Sequence, residues 1–163
     1  DLSDVKAVLN LCKKLDLKVK KSDGLAKMID AIMRKKIEPN LINPTYVINH
    51  PVEISPLAKI NRDGDKNFTE RFELFIVGME FANGFSELND PIDQRNRFED
   101  QSKKREDGDE NAFPVDENFL EAIETGMPPT AGVGVGIDRL VMLFIDTRWI
   151  RDAILFPTLK SLK

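Results

Sequence analysis

Apolar residues at three- and four-residue steps open the chain. Leu2, Val5, Leu9 and Cys12 predict an amphipathic helix over about residues 3–15. Ser22 is placed to cap a second helix with Leu25, Met28, Ile29, Ile32 and Met33 on its apolar face. The run KVKK between them (18–21) reads as a solvated connector, with a functional basic patch as the alternative. After Pro44 the period shortens. Thr45–Ile48 is a β-type run, halted by Pro51 and Pro56, and RDGDKN (62–67) is a polar turn. Phe72–Val77 and Met79–Leu88 are strand-like on either side of Gly78, which predicts a hairpin.

The second half returns to helices. Asp90-Pro91 gives the order of N-cap then proline, opening a helix to about Arg105. The charged run KKREDGDENA reads as a loop. Asp116 caps a further helix carrying Phe119, Leu120 and Ile123, which ends at Gly126 before Pro128-Pro129. AGVGVGIDRLVMLF then alternates glycine at 132, 134 and 136 and passes into a helical pattern, with Asp138 expected as its cap. There is no internal repeat and no regular β-α-β alternation. An α+β fold follows, with an antiparallel sheet flanked by helices.

Composition narrows the picture only modestly. The 163 residues are 41% hydrophobic and 32% charged with a formal net charge of −4, against a whole-surface nucleic-acid binder but compatible with a local basic patch. No apolar run approaches the ~20 residues of a membrane-spanning helix. The single cysteine, Cys12, has no internal disulfide partner, which favours a reducing, cytoplasmic location. The chain starts Asp1-Leu2-Ser3 and enters a helix at once, so it reads as a piece of something longer.

Three glutamates, Glu73, Glu80 and Glu87, recur every seven residues through the predicted hairpin. With a two-residue turn at 77–78, Phe75 pairs with Glu80, and Glu73 shares its face. The two acids become diagonal neighbours about 5–8 Å apart. Carboxylates that close need a cation or a proton between them, and Mg²⁺ takes one or two carboxylates plus phosphate oxygens. The plain alternative is two solvated glutamates on an exposed face. Asn83, Phe85 and Glu87 have the opposite parity to Glu80, so sharing its pocket requires a β-bulge between Glu80 and Asn83. Such a pocket suits an amino acid with a cationic side chain, its ammonium at Glu87 and its methylenes on Phe85. Phe85 as simple core is the alternative.

The glycines fit neither G-x-G-x-x-G nor the P-loop. G-x-G-x-G instead puts each glycine on one strand face, a flat floor for a planar ring over which Arg139 can stack. Close approach of a neighbouring backbone explains the same glycines equally well. His50, the lone histidine, reads as a structural hydrogen-bonding residue, and Trp149 as a packing residue.

Taken in order, NPTYVINHPVEISPLAK, RFELFIVGMEFANGFSELNDPIDQRNRFEDQ, MPPTAGVGVGIDRLVMLF and IRDAILFPTLK resemble the C-terminal half of the catalytic domain of class II lysyl-tRNA synthetases. The likeness runs from about Asn43 onward, behind a helical lead-in (1–40) in which no motif is recognised. It implies the later strands of a six- or seven-stranded antiparallel sheet, with residues 41–163 binding ATP and lysine. It also implies ATP-dependent activation of lysine and its transfer to tRNA(Lys). By position, Glu73 and Glu80 match the pair that holds Mg²⁺ against ATP, and Asn83, Phe85 and Glu87 match the lysine pocket. Arg139 matches the third-motif arginine that stacks on adenine, over Gly134 and Gly136.

The family's first motif, which forms its homodimer, its second motif and its anticodon-binding barrel are not found here. The chain alone is therefore expected not to activate lysine at a useful rate, and a sheet lacking strands is expected to self-associate. Aspartyl- and asparaginyl-type relatives are the nearest rivals, expected to present a cation where Glu87 stands. A lysine ligase acting on a protein and a non-catalytic synthetase-like module are the others.

Overall fold

The computed structural model describes residues 4–19, 23–106 and 112–158. The expected Ser22 cap, and Lys20 and Lys21 of the KVKK run, lie outside them. Among the described residues four strands form one antiparallel sheet in chain order: β1 (Thr45–Ile48), β2 (Arg71–Ile76), β3 (Met79–Ser86) and β4 (Ala131–Val135). Helices α1 (Val5–Lys14), α2 (Gly24–Ile32), α3 (Pro91–Glu106), α4 (Glu117–Glu124), α5 (Ile137–Phe144) and α6 (Ile150–Ala153) surround it.

The lead-in helices carry a small core of their own, in which Val8, Cys12 and Met28 are buried and Leu9, Leu25, Ile29 and Ile32 pack on them. Asp4 caps α1, accepting from the Lys6 and Ala7 amides. Val5, expected inside, is exposed, because Val8 takes the buried position one turn on. After α2 the helix continues as a π turn, Met33–Ile37, and a 3₁₀ turn, Glu38–Asn40. These turns bring Leu41 and Ile42 beneath the β2–β3 hairpin.

That hairpin closes through Val77 (φ 52°) and Gly78 (φ 71°), both left-handed as a type I′ turn requires. Their amides donate to the carbonyls of Ile42 (2.9 Å) and Leu41 (3.0 Å), so the turn is docked against the lead-in. Past the turn Phe75 faces Glu80, whereas Leu74 faces Ala82, which leaves Phe81 as an extra residue on β3. The required bulge is therefore present between Glu80 and Asn83.

Helix α3 is highly charged and docks by polar fingers. Buried Gln94 donates to the Pro56 carbonyl (3.1 Å), and buried Arg97 donates to Ala58 O (2.8 Å) while pairing with Asp93. Its start is capped by Asp90, which accepts from Ile92 and Asp93. Asp116 caps α4 by accepting from Phe119, and Phe119 meets Phe98 of α3 edge-on. Asp138 does not cap α5. Gly136 holds that place, and Asp138 sits inside the first turn, where its charge suits the helix dipole. Trp149, expected to pack, is exposed.

Candidate active site

Register decides which side chains share a face. Across the sheet one row runs Val47, Glu73, Asn83, Gly134, and its neighbours run Thr45, Phe75, Glu80 and Arg71, Phe85, Gly132. The bulge at Phe81 brings Glu80 onto this face along with Asn83 and Phe85, although simple alternation separates them. The predicted residues of the two strands therefore lie together on one side of the sheet.

Glu73 and Glu80 line one cleft of about 590 Å³, with Arg71 and Arg139. Asp30, Arg34 and Glu38 of the lead-in close its other side. Each sheet carboxylate has an arginine. Arg71 Nη2 donates to Glu73 Oε1 at 2.5 Å, and Arg139 Nη1 lies 3.7 Å from Glu80 Oε2 while donating to the Glu80 carbonyl at 2.6 Å. Burial raises the Glu38 carboxyl above its usual range, and the charges of Glu73 and Glu80 push it further the same way. The hard carboxylate oxygens of Glu73 and Glu80 suit Mg²⁺. Among the described residues no three potential ligands converge, so the protein would supply one or two carboxylates and phosphate oxygens the rest.

His50 reaches the same cleft. Its Nε2 is buried without a hydrogen bond, 4.0 Å from Glu73 Oε2. Burial, then the neighbouring Arg71 charge, hold its pKa below the ordinary value, so at neutral pH it is uncharged and forms no ion pair. The expected structural hydrogen bond is not found at Nε2.

Glu87 opens on a different, smaller cleft of about 240 Å³, with Lys59, Arg62 and Thr130. Those two cations are already engaged. Lys59 donates to Asn89 Oδ1 (2.9 Å), and Arg62 grips Glu70 through a two-bond fork (2.6 and 2.8 Å) that holds the Glu70 pKa down at about 2. Among the described residues the Glu87 carboxylate has no hydrogen bond or ion pair, and burial pushes its pKa up.

The three glycines separate by environment. A Cβ on Gly132 would sit 2.5 Å from Glu87 Oε1, so that glycine makes room for the carboxylate. A Cβ on Gly134 would meet only the Asn83 carbonyl at 3.8 Å, and one on Gly136 would touch the Phe81 carbonyl (3.5 Å) and Arg139 Cδ (3.7 Å) at ordinary contact distances. Close backbone approach therefore does not account for Gly134 and Gly136, whose face is open beside Arg139.

The family model for class II tRNA synthetases (D, K and N) matches residues 10–160. The chain belongs to that family. Within it, the lysine–tRNA ligase of Leuconostoc mesenteroides is 57% identical over 144 residues, covering 88% of this chain and 29% of that protein. The Listeria monocytogenes lysine–tRNA ligase is 57% identical over 150 residues (92% and 30%), and that of Bacillus subtilis 55% over 149 (91% and 30%). The chain thus spans about 30% of the length of these relatives.

Several residues of this class II site escape sequence reading. Arg71 is the clearest, since it joins Glu73, Asn83, Ile54 and Ser55, residues up to 17 positions away. Glu38, Asp30 and Arg34 come from the lead-in, where no motif is recognised. The basic residue in the strand-opening sequence RFELF was the one available signal, and alternation with Glu73 puts the two on one face.

Proposed function

We propose that this chain is the part of a lysine–tRNA ligase that selects lysine and holds ATP·Mg²⁺ for its activation, before transfer to tRNA(Lys) by a larger homodimeric enzyme. The observation carrying the choice among D, K and N substrates is Glu87. It is a half-buried carboxylate lacking a cation, beside two cations that are already bound elsewhere. Aspartate and asparagine have no group to satisfy it, whereas the lysine ammonium does.

In this reading Phe85 lies along the lysine methylenes and Asn83 meets the other end of the amino acid. Arg139 leaves Glu80 to stack on adenine over Gly134 and Gly136, which would otherwise carry side chains into the ring's space. Glu73 and Glu80 would hold Mg²⁺, which supplies neutralisation of phosphate charge. The lysine carboxylate attacks the α-phosphate and pyrophosphate departs. The nucleophile is already an anion, so the site needs no general base, and its work is positioning and electrostatics.

Amino-acid-dependent pyrophosphate exchange by the full-length protein tests this. Lysine should support exchange where aspartate and asparagine do not. Exchange driven by aspartate or asparagine in preference to lysine overturns the reading.

A further inference from the structure

We infer that Arg71 is a positioning residue that fixes Asn83 as a hydrogen-bond donor toward the amino-acid substrate. The inference rests on the lysine reading above and adds a residue to it. Arg71 Nε donates to Asn83 Oδ1 at 3.0 Å. The remaining guanidinium edges are spent on Ile54 O (3.0 Å), Ser55 Oγ (3.0 Å) and Glu73 Oε1 (2.5 Å).

A guanidinium has only donors. The amide atom facing it must be the oxygen, because a flipped amide would set N–H against N–H. Orientation of Asn83 is therefore dictated by Arg71 rather than by the ligand. The Nδ2 edge is left over, and among the described residues it has no acceptor. Directly across the sheet lies Gly134, whose bare backbone leaves open room beside that edge. Free lysine carries two ammonium groups and one carboxylate, so its only acceptor is the carboxylate. A pre-set amide donor thus reads the carboxylate end of the substrate while Glu87 reads the ammonium.

The same fork ties the two halves of the site together. By holding one oxygen of Glu73 and the oxygen of Asn83 on one rigid plane, Arg71 sets the amino-acid donor relative to the carboxylate that faces the other cleft. Lysine in its place keeps the charge near Glu73, but as a point donor it does not span four acceptors.

The test uses pyrophosphate exchange by the full-length protein. Arg71→Lys should raise the KM for lysine about tenfold, with a much smaller change in kcat. Asn83→Ala should give a similar rise, and the double variant should be no worse than Asn83→Ala alone, since both changes remove one donor. Multiplying effects, or an unchanged KM in Arg71→Lys, overturn the inference. Should Arg71→Lys fail to fold, Asn83→Asp decides, because it still accepts from Arg71 but offers no donor. Its KM for lysine should rise at least tenfold, and a wild-type KM overturns the donor role. The contact itself is read without any substrate from melting temperatures. Asn83→Asp should melt above Asn83→Leu, which strands the Arg71 Nε–H, and the reverse order contradicts the contact. A wild-type protein lacking lysine-dependent exchange but keeping this melting order would fault the functional reading and not the Arg71–Asn83 geometry.

Discussion

Glu87 is where stability and the proposed function pull in opposite directions. Burial without a partner raises its carboxyl pKa, so the folded chain binds that proton more tightly than the unfolded one. The sign follows: Glu87 costs nothing below its ordinary pKa, and stability falls as pH rises through the raised folded value. Glu87→Gln should therefore melt higher than wild type at about pH 7 and close to wild type at about pH 4. An unchanged melting temperature at both would show that the carboxylate is solvated. This tension was half legible in the sequence. The seven-residue spacing picked out Glu87, but its isolation depends on Lys59 meeting Asn89 and Arg62 meeting Glu70, pairings made by the fold. Arg71 escaped for the same reason, since its role lies in contacts with Asn83, Ile54 and Ser55.

At the scale of elements, the hairpin was the most legible feature, because Gly78 and the flanking alternation fix both turn and register. Val77 was the less readable part. A β-branched residue at φ 52° is costly, and it persists because both turn amides are held by Leu41 and Ile42. Replacing Val77 with Asn, which tolerates that conformation, should stabilise the chain by about 0.5–1 kcal/mol in thermal or denaturant unfolding. A loss of stability would mean the exposed valine side chain contributes packing that the turn geometry does not reveal. The bulge at Phe81 was deducible only as a condition for a shared pocket. The cap of α5 was misread because Asp138 matches capping chemistry, whereas the strand-to-helix turn is made two residues earlier, where the Gly136 amide donates to Phe81 O (2.8 Å).

At the scale of the whole molecule, the α+β class was readable from the order of patterns, and the four-stranded antiparallel sheet agrees with it. What apolarity alone misjudged was Trp149, which is exposed with Phe144, Leu155 and Phe156. The back of the sheet behaves likewise. The rows Tyr46, Leu74, Ala82, Val135 and Ile48, Phe72, Gly84, Val133 place exposed Tyr46, Ile48, Val133 and Val135 on the face opposite the site. Among the described residues β1 and β4 also have one unpaired edge each. The isolated chain should therefore self-associate as its concentration rises, measured by sedimentation. A single monomeric species at high concentration would contradict this. None of its described helices is long and apolar enough to cross a membrane, so the exposed apolar surface is not a spanning segment.

Substrate choice in this reading rests on one unpaired carboxylate, Glu87. Calorimetric titration of the full-length protein with lysine and with norleucine, which has the same carbon chain but hydrogen in place of the ammonium, isolates that interaction. Wild type should bind lysine at least about a hundredfold more tightly than norleucine, and Glu87→Gln should lose nearly all of this preference. Equal preference in wild type and Glu87→Gln would contradict it.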